Sequence, residues 1–302
     1  MIRRLCLAIV LSTCAMAGLL AQTAEPIWPP VLVYGADRLH KPQLGRDSLR
    51  VMSLSLLPSV PERDEYIERW VCRKDQVIHL MRDCHVDILG LQRPLPSQVA
   101  LLTRSTGYAF AGQTSADTIT AAGARFAILY NPSRFNLIAS GTTAGDSVAA
   151  NPMTGVKNTT EGYGWATLED KAGKSRLLVF SCLLRSAHMA RTMIADIKSR
   201  ANGIPVIIAA DLMAETFEPV PRMLRTAGLA DSFAVTAYRS GAIGTFHDFR
   251  HNNPIRRMDY VFLSPTLQVP HYEVVDEAFS TSRPSSDHLP VMVDISLGMA
   301  KK

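Results

Sequence analysis

Side chains suited to chemistry lie in the second half of the chain. Asp211 ends an apolar run, Asp259 opens another, and Asp287 and His288 stand side by side shortly before the last. Carboxylate oxygens are the ligands that hard cations such as Mg²⁺ prefer, and a histidine oriented by an aspartate can serve in general acid–base catalysis. These four residues are therefore the first candidates for an active site.

The elements that must position these residues alternate between strands and helices from Leu49 onward. Apolar runs predict strands at residues 49–55, 88–91, 126–130, 177–181, 206–210, 259–263 and 291–295. Amphipathic spacing predicts helices at residues 61–82, 187–199 and 219–226. Residues 140–164, rich in small and polar side chains, are predicted to form a long loop on the substrate or partner side. In folds of this kind, functional groups stand at strand ends and on loops.

Several segments, taken in order, resemble one family. Residues 50–55, 86–92, 205–211, 245–247, 257–260 and 286–288 resemble the endonuclease/exonuclease/phosphatase superfamily, a group of metal-dependent phosphodiesterases and phosphatases. The resemblance implies a four-layered α/β sandwich, with two stacked mixed sheets flanked by helices, over residues 48–298. It also implies Mg²⁺ or Mn²⁺ as cofactor and a phosphate ester as substrate.

The resemblance assigns roles to the four candidates. It implies that His288, oriented by Asp259, contacts the phosphate, and that Asp211 activates water. Asp287 matches a carboxylate on the metal side of the site. Ser55 falls where the resemblance implies a metal or phosphate contact, and Ser55 and Arg93 are both candidates for contact with substrate. His247 is a third candidate, because it belongs to a basic cluster that could meet an anion, although a solvated loop is the alternative.

Five positions depart from the family pattern. Ser55 replaces an asparagine, Arg93 the glutamate that is the main magnesium ligand, and Ala124 an acidic residue. Leu183 stands where a second histidine is expected, and Met213 where an asparagine is expected. The change at Arg93 has the largest consequence, because a guanidinium cannot coordinate a metal and repels it. Two like unit charges about 4 Å apart at an effective dielectric of about 20 repel each other by about 4 kcal/mol.

Two interpretations of the site remain open. In the first, Arg93 replaces the metal by neutralising Asp211, Asp259 and Asp287, so metal-dependent hydrolysis is lost or strongly reduced and no cofactor is needed. In the second, the protein is an active metal-dependent phosphodiesterase or phosphatase that uses Asp211, Asp259, Asp287 and His288. Metal binding and turnover separate the two.

The N-terminus resembles an export signal. Arg3 and Arg4 precede an apolar stretch at residues 5–20, which predicts a signal peptide at residues 1–21 and a periplasmic or extracellular location. A lipid anchor at Cys14 is disfavoured because threonine precedes it. Residues 22–47 carry several prolines and predict an extended leader. The apolar stretch is shorter than the roughly 20 residues of a transmembrane helix, and no later stretch reaches that length.

Composition places few limits on the partner. Removal of two of the 32 basic residues with the signal leaves a small excess over the 27 acidic ones. That excess permits a phosphate-bearing ligand, but it does not support nucleic acid as a partner. Cys72, Cys84 and Cys182 are predicted to be thiols rather than a disulfide framework. Oligomeric state and substrate class have no signature in this sequence.

Overall fold

The secondary structure comes from a computed structural model, which describes residues 43–57, 69–112, 114–115, 118–119, 125–148, 159–249, 254–275 and 284–297. In chain order, the strands are β1 (Ser48–Ser55), β2 (Ile88–Gln92), β3 (Ala109–Phe110), β4 (Thr114–Ser115), β5 (Thr118–Ile119), β6 (Phe126–Tyr130), β7 (Phe135–Val148), β8 (Thr159–Asp170), β9 (Arg176–Leu183), β10 (Val206–Asp211), β11 (Ala230–Asp231), β12 (Tyr238–Gly241), β13 (Asp259–Leu263), β14 (Gln268–Val274) and β15 (Val291–Ser296). The helices are α1 (Trp70–Asp83), α2 (Pro96–Thr106), α3 (Ala187–Ala201), α4 (Pro219–Thr226) and α5 (Ser232–Val235).

The long strands form two mixed sheets. The order in the seven-stranded sheet is β12-β14-β15-β1-β2-β6-β3, and the order in the six-stranded sheet is β11-β13-β10-β9-β8-β7. At the centre of the first sheet, β1 is parallel to β2 and antiparallel to β15. At the centre of the second, β10 is parallel to β9 and antiparallel to β13. The short strands β4 and β5 pair with each other.

Buried apolar side chains hold these layers together. One cluster joins the facing surfaces of the two sheets, with Val51 and Ile88 on one side and Ile207 and Val261 on the other. A second cluster packs α3 and α4 on the outer face of the six-stranded sheet. A third packs α1 and α2 on the outer face of the seven-stranded sheet. The result is the predicted four-layered α/β sandwich.

The predicted long loop at residues 140–164 is wrong for residues 140–148 and 159–164, and residues 149–158 lie outside the described residues. Strands β7 and β8 pair antiparallel across most of this stretch, with Gly141 opposite Trp165. A Cβ at Gly141 would lie 2.8 Å from the Trp165 indole nitrogen, so the small residue makes room for the ring across the pair. Residues 136–139 are exposed, because β7 is the edge strand of its sheet. The small and polar residues at 140–148 therefore belong to an edge strand rather than to a loop.

The other predicted strands and helices agree with the structure within a residue or two wherever both ends are described, but elements such as α2, β12 and β14 were not predicted. Some predictions are not tested. The second half of the predicted helix at residues 61–82 forms α1, and the predicted start of that helix lies outside the described residues. The signal peptide at residues 1–21 and most of the leader lie outside them too. In the described part of the chain, no helix is long and apolar enough to cross a membrane. Cys72, Cys84 and Cys182 are free thiols, as predicted.

Candidate active site

Strand ends from both sheets supply the candidate residues. β1 and β2 run in parallel and end at paired residues, Ser55 and Gln92. In the other sheet, β9 and β10 also run in parallel and end at Leu183 and Asp211. Ser55 Oγ donates a hydrogen bond of 2.5 Å to Asp211 Oδ2, so the two sheets meet at this edge. Residues that follow these strand ends are therefore brought to one place.

Arg93 lies among the carboxylates. It follows β2 directly and has a left-handed backbone, with φ of 67°. Its Nη2 donates to Asp287 Oδ1 at 2.9 Å, and its Nε donates to Ser55 Oγ at 2.8 Å. The same Nε is 3.6 Å from Asp211 Oδ2, and the side chain is only 10% exposed. The guanidinium therefore occupies the position that the metal-replacement hypothesis requires, and it does not point to solvent.

Asp211 is held by a second arginine as well. Its carboxylate is fully buried, and Oδ1 accepts a hydrogen bond of 2.9 Å from Arg185 Nη1. Burial alone would raise the pKa of Asp211, but the charges of Arg185, His288 and Arg93 outweigh it, so the pKa falls below its ordinary value. Asp211 is therefore ionised, and each of its two oxygens accepts a hydrogen bond.

Asp259 and His288 form the predicted pair. His288 Nδ1 is 2.7 Å from Asp259 Oδ2, and both side chains are almost completely buried. Burial opposes the charged imidazolium, but Asp259, Asp287 and Asp211 more than offset that cost and raise the pKa of His288. Burial also raises the pKa of Asp259. His288 Nε2 is buried and has no hydrogen-bond partner among the described residues.

Asp287 joins this pair to Arg93. Its Oδ1 accepts from Arg93 Nη2 and is also 2.9 Å from Ser286 Oγ. Burial opposes ionisation, but Arg93 and then His288 lower the pKa of Asp287 to about 2. The carbonyl oxygen of Asp287 accepts from the backbone N–H of His247 at 3.1 Å. His247 is thus next to the site through its backbone, and its side chain is only 5% exposed.

The sequence analysis missed Arg185. This residue lies two positions beyond the end of β9, beside the parallel strand that ends at Asp211. The loop that carries it is fixed by Glu161, whose Oε2 accepts from the backbone N–H groups of Arg185 and Ser186, both at 2.9 Å. Like Arg93, Arg185 is a charged residue just beyond the end of a predicted strand, and that position could have identified it.

The remaining departures from the family pattern are compatible with the fold. Leu183 is completely buried within the apolar core, so no polar group stands there. Met213 adopts a left-handed backbone, with φ of 42°, just after β10. Ala124 lies outside the described residues. The site therefore has Arg93 and Leu183 where the resemblance implies a glutamate and a histidine, and Arg185 is a second arginine beside Asp211.

The described side chains do not fit a divalent cation as they stand. One oxygen each from Asp211 and Asp259 and one nitrogen from His288 lie within 4.8 Å of one another, which is close enough for a metal site. However, Arg185 and Ser55 engage the two oxygens of Asp211, and His288 is bonded to Asp259. The guanidiniums of Arg93 and Arg185 pair with Asp287 and Asp211 and neutralise these two carboxylates without a metal.

Known structures confirm the fold. An endonuclease/exonuclease/phosphatase from Bacteroides vulgatus matches with a TM-score of 0.69 and 23% identity, over 83% of this chain and 99% of that one. A mannosyl-6-phosphatase from Bacteroides thetaiotaomicron matches with a TM-score of 0.66 and 23% identity, over 82% and 99%. The human Nocturnin catalytic domain with a bound sulfate anion matches with a TM-score of 0.60 and 20% identity, over 83% and 95%.

No protein-family model and no curated protein sequence matches the chain. The structural matches nevertheless cover most of this chain and nearly all of the first two neighbours. The chain therefore has the fold of the endonuclease/exonuclease/phosphatase superfamily, as its motifs predicted.

Proposed function

We propose that this chain is an exported protein with the endonuclease/exonuclease/phosphatase fold, in which metal-dependent phosphoester hydrolysis is lost or strongly reduced. The observation that carries the proposal is the position of Arg93, which is 2.9 Å from Asp287 and 3.6 Å from Asp211. A cation placed beside these carboxylates would meet a permanent positive charge at close range. For two unit charges about 4 Å apart at an effective dielectric of about 20, that repulsion is about 4 kcal/mol, or roughly a thousandfold in affinity, and it is larger for a divalent cation.

Arg185 strengthens this proposal. In the chemistry that the fold implies, Asp211 would take a proton from water, which requires a carboxylate oxygen that can accept it. Here Oδ1 is paired with Arg185 at 2.9 Å, and the pKa of Asp211 is lowered by that arginine among other groups. A carboxylate with a lowered pKa is a weaker base. Both the metal position and the base are therefore compromised by arginines.

A phosphate-bearing or related oxyanion remains the ligand class that we propose. One structural neighbour is a mannosyl-6-phosphatase and another holds a sulfate anion. In this chain, the buried His288 Nε2 and the arginines could donate hydrogen bonds to such a group.

The export part of the proposal depends on Arg3, Arg4 and the apolar residues that follow them. The intact mass of the protein recovered outside the cytoplasm tests export, and loss of residues 1–21 is the expected result.

An active hydrolase is the second candidate, and one observation favours it. Asp259 and His288 keep a hydrogen bond of 2.7 Å, with Nε2 buried and without a partner among the described residues. This is the geometry of a histidine positioned by a carboxylate for acid–base work. The test is hydrolysis of aryl phosphate mono- and diesters. Activity that Mg²⁺ or Mn²⁺ stimulates and that His288→Ala abolishes would favour this candidate.

Calorimetric titration of Mg²⁺ and Mn²⁺ into the protein and into Arg93→Glu separates the two candidates. We expect no binding by the parent at sub-millimolar concentrations and measurable binding by Arg93→Glu, because the variant exchanges a repelling cation for a carboxylate ligand. Arg191→Glu is the matched control, since it makes the same charge change on an exposed residue of α3. Sub-millimolar binding by the parent would overturn the proposal.

A further inference from the structure

A row of polar side chains, of types that are common in nucleophilic active sites, lies across the outer face of the seven-stranded sheet. It runs over four strands that neighbour one another, from Ser240 on β12 through His271 on β14 and Asp294 on β15 to Arg50 on β1. Ser240 Oγ is 2.8 Å from His271 Nε2, and His271 Nδ1 is 3.7 Å from Asp294 Oδ2. We propose that Ser240, His271 and Asp294 form a metal-independent nucleophilic site that accepts small carboxylic esters.

Asp294 is fixed as an ionised carboxylate. Arg50 donates to both of its oxygens, from Nε to Oδ1 at 2.7 Å and from Nη2 to Oδ2 at 3.1 Å. Arg50 itself is almost completely buried and also donates to the carbonyl oxygen of Cys84. A carboxylate held in this way favours a proton on the facing nitrogen, His271 Nδ1, which leaves Nε2 free to accept the proton of Ser240.

His271 is held in place from three sides. The Tyr238 ring stacks on it, with centroids 5.4 Å apart and an angle of 22° between the planes. Glu273 Oε2 lies 4.0 Å from Nε2, where its negative charge would stabilise an imidazolium formed during the reaction. The 3.7 Å separation from Asp294 is longer than a hydrogen bond, but catalytic hydrogen bonds are often long before substrate binds.

Ser240 is partly exposed to solvent, and its strand β12 lies close to β14. It lies half-buried on the edge strand β12, and only 23% of the His271 side chain is exposed. The next residue, Gly241, has φ of +81°, and a Cβ there would lie 1.8 Å from the carbonyl oxygen of Val274. The backbones of β12 and β14 approach so closely at this point that only glycine fits. That approach keeps the Ser240 hydroxyl beside the imidazole.

The proposed reaction proceeds in two steps. Ser240 Oγ attacks the ester carbonyl carbon, and its proton passes to His271 Nε2. The carbon–oxygen bond to the alcohol then breaks, and the alcohol leaves with that proton, so an acyl group remains on Ser240. Water, deprotonated by the same nitrogen, releases the carboxylic acid and restores the serine. The residues of this row lie toward the other end of β1 from Ser55. The proposal therefore does not depend on the site formed by Arg93 and Arg185 with the carboxylates of Asp211, Asp259 and Asp287, which we call the arginine–carboxylate site.

Labelling with a fluorophosphonate probe tests the proposal, because such probes form a covalent bond to an activated serine with loss of fluoride. We expect the folded parent to be labelled at Ser240, as located by peptide mass spectrometry, and Ser240→Ala to lose that label. His271→Gln should lower the labelling rate at least about tenfold, since general-base assistance contributes about 10²- to 10⁴-fold. Ser199→Ala, a change at an exposed serine of α3, should label like the parent.

Hydrolysis of p-nitrophenyl acetate by the same proteins gives a second readout. We expect the hydrolysis rates of the parent and the variants to follow the same order as their labelling rates. Circular dichroism of each variant shows that it is folded before its rate is compared. A parent labelled no faster than the heat-unfolded chain would overturn the proposal and leave the row as a set of cross-strand hydrogen bonds. Equal labelling of the parent and His271→Gln would overturn it as well.

Discussion

At the scale of single residues, Arg93 has a stabilising role that can be measured. It is an almost fully buried cation paired with Asp287 and close to Asp211. Removal of one partner from a buried ion pair leaves an uncompensated charge, which typically costs about 3–5 kcal/mol. Because Arg93→Glu also adds a further carboxylate to the cluster, we expect its free energy of unfolding without metal to fall by about that amount at pH 7.

Urea unfolding followed by circular dichroism, with a chelator present, measures this change. Arg191→Glu serves as the matched charge reversal and should alter stability by no more than about 0.5 kcal/mol, because that residue is exposed. If Arg93→Glu proved as stable as the parent, Arg93 would not be neutralising the carboxylates, and the metal-replacement hypothesis would fail.

At the scale of elements, the site depends on how closely the two sheets stack. Gly90 lies in the middle of β2 and faces β10, where a Cβ would stand 2.3 Å from Ala209 Cβ and 3.4 Å from Ser181 Oγ. Gly90→Ala should therefore force the sheets apart and cost about 1–3 kcal/mol, as overpacking of a core does. Gly45→Ala is the control, because no atom lies within 4 Å of the added methyl.

Thermal unfolding of the two glycine variants tests this prediction. Gly90→Ala should melt several degrees below the parent, and Gly45→Ala should melt close to it. A Gly90→Ala variant with the melting temperature of the parent would show that the sheets have room to spare between β2 and β10.

The elements also show what a sequence can and cannot reveal. Strands such as β10 and β13 were predictable because continuous apolar runs mark strands buried on both faces. The antiparallel pair of β7 and β8 was not, since its edge strand β7 is exposed in part and rich in small residues. The apolar runs placed Asp211 at the end of one strand and Asp259 at the start of another, as the structure has them, whereas the row from Ser240 to Asp294 depends on which strands become neighbours. That pairing is a long-range property of the folded chain.

At the scale of the whole molecule, the arginine–carboxylate site links stability to pH. Arg93 and His288 lower the pKa of Asp287 to about 2 from an ordinary value of 3.8, against the effect of burial. A carboxylate whose pKa is depressed by folding contributes stability above its unfolded pKa, and that contribution disappears as pH falls through the folded pKa. For Asp287, the contribution is therefore present at pH 7 and is lost between about pH 4 and pH 2.

Comparison with Asp287→Asn isolates this contribution from those of the other carboxylates. The parent should be the more stable protein at pH 7, and its advantage in free energy of unfolding should narrow by about 2 kcal/mol between pH 4 and pH 2, because one pKa unit corresponds to about 1.4 kcal/mol. Urea unfolding at closely spaced pH values measures the difference. An advantage that stays constant down to pH 2 would mean that Asp287 does not titrate in this range and that its pairing with Arg93 contributes nothing to acid stability.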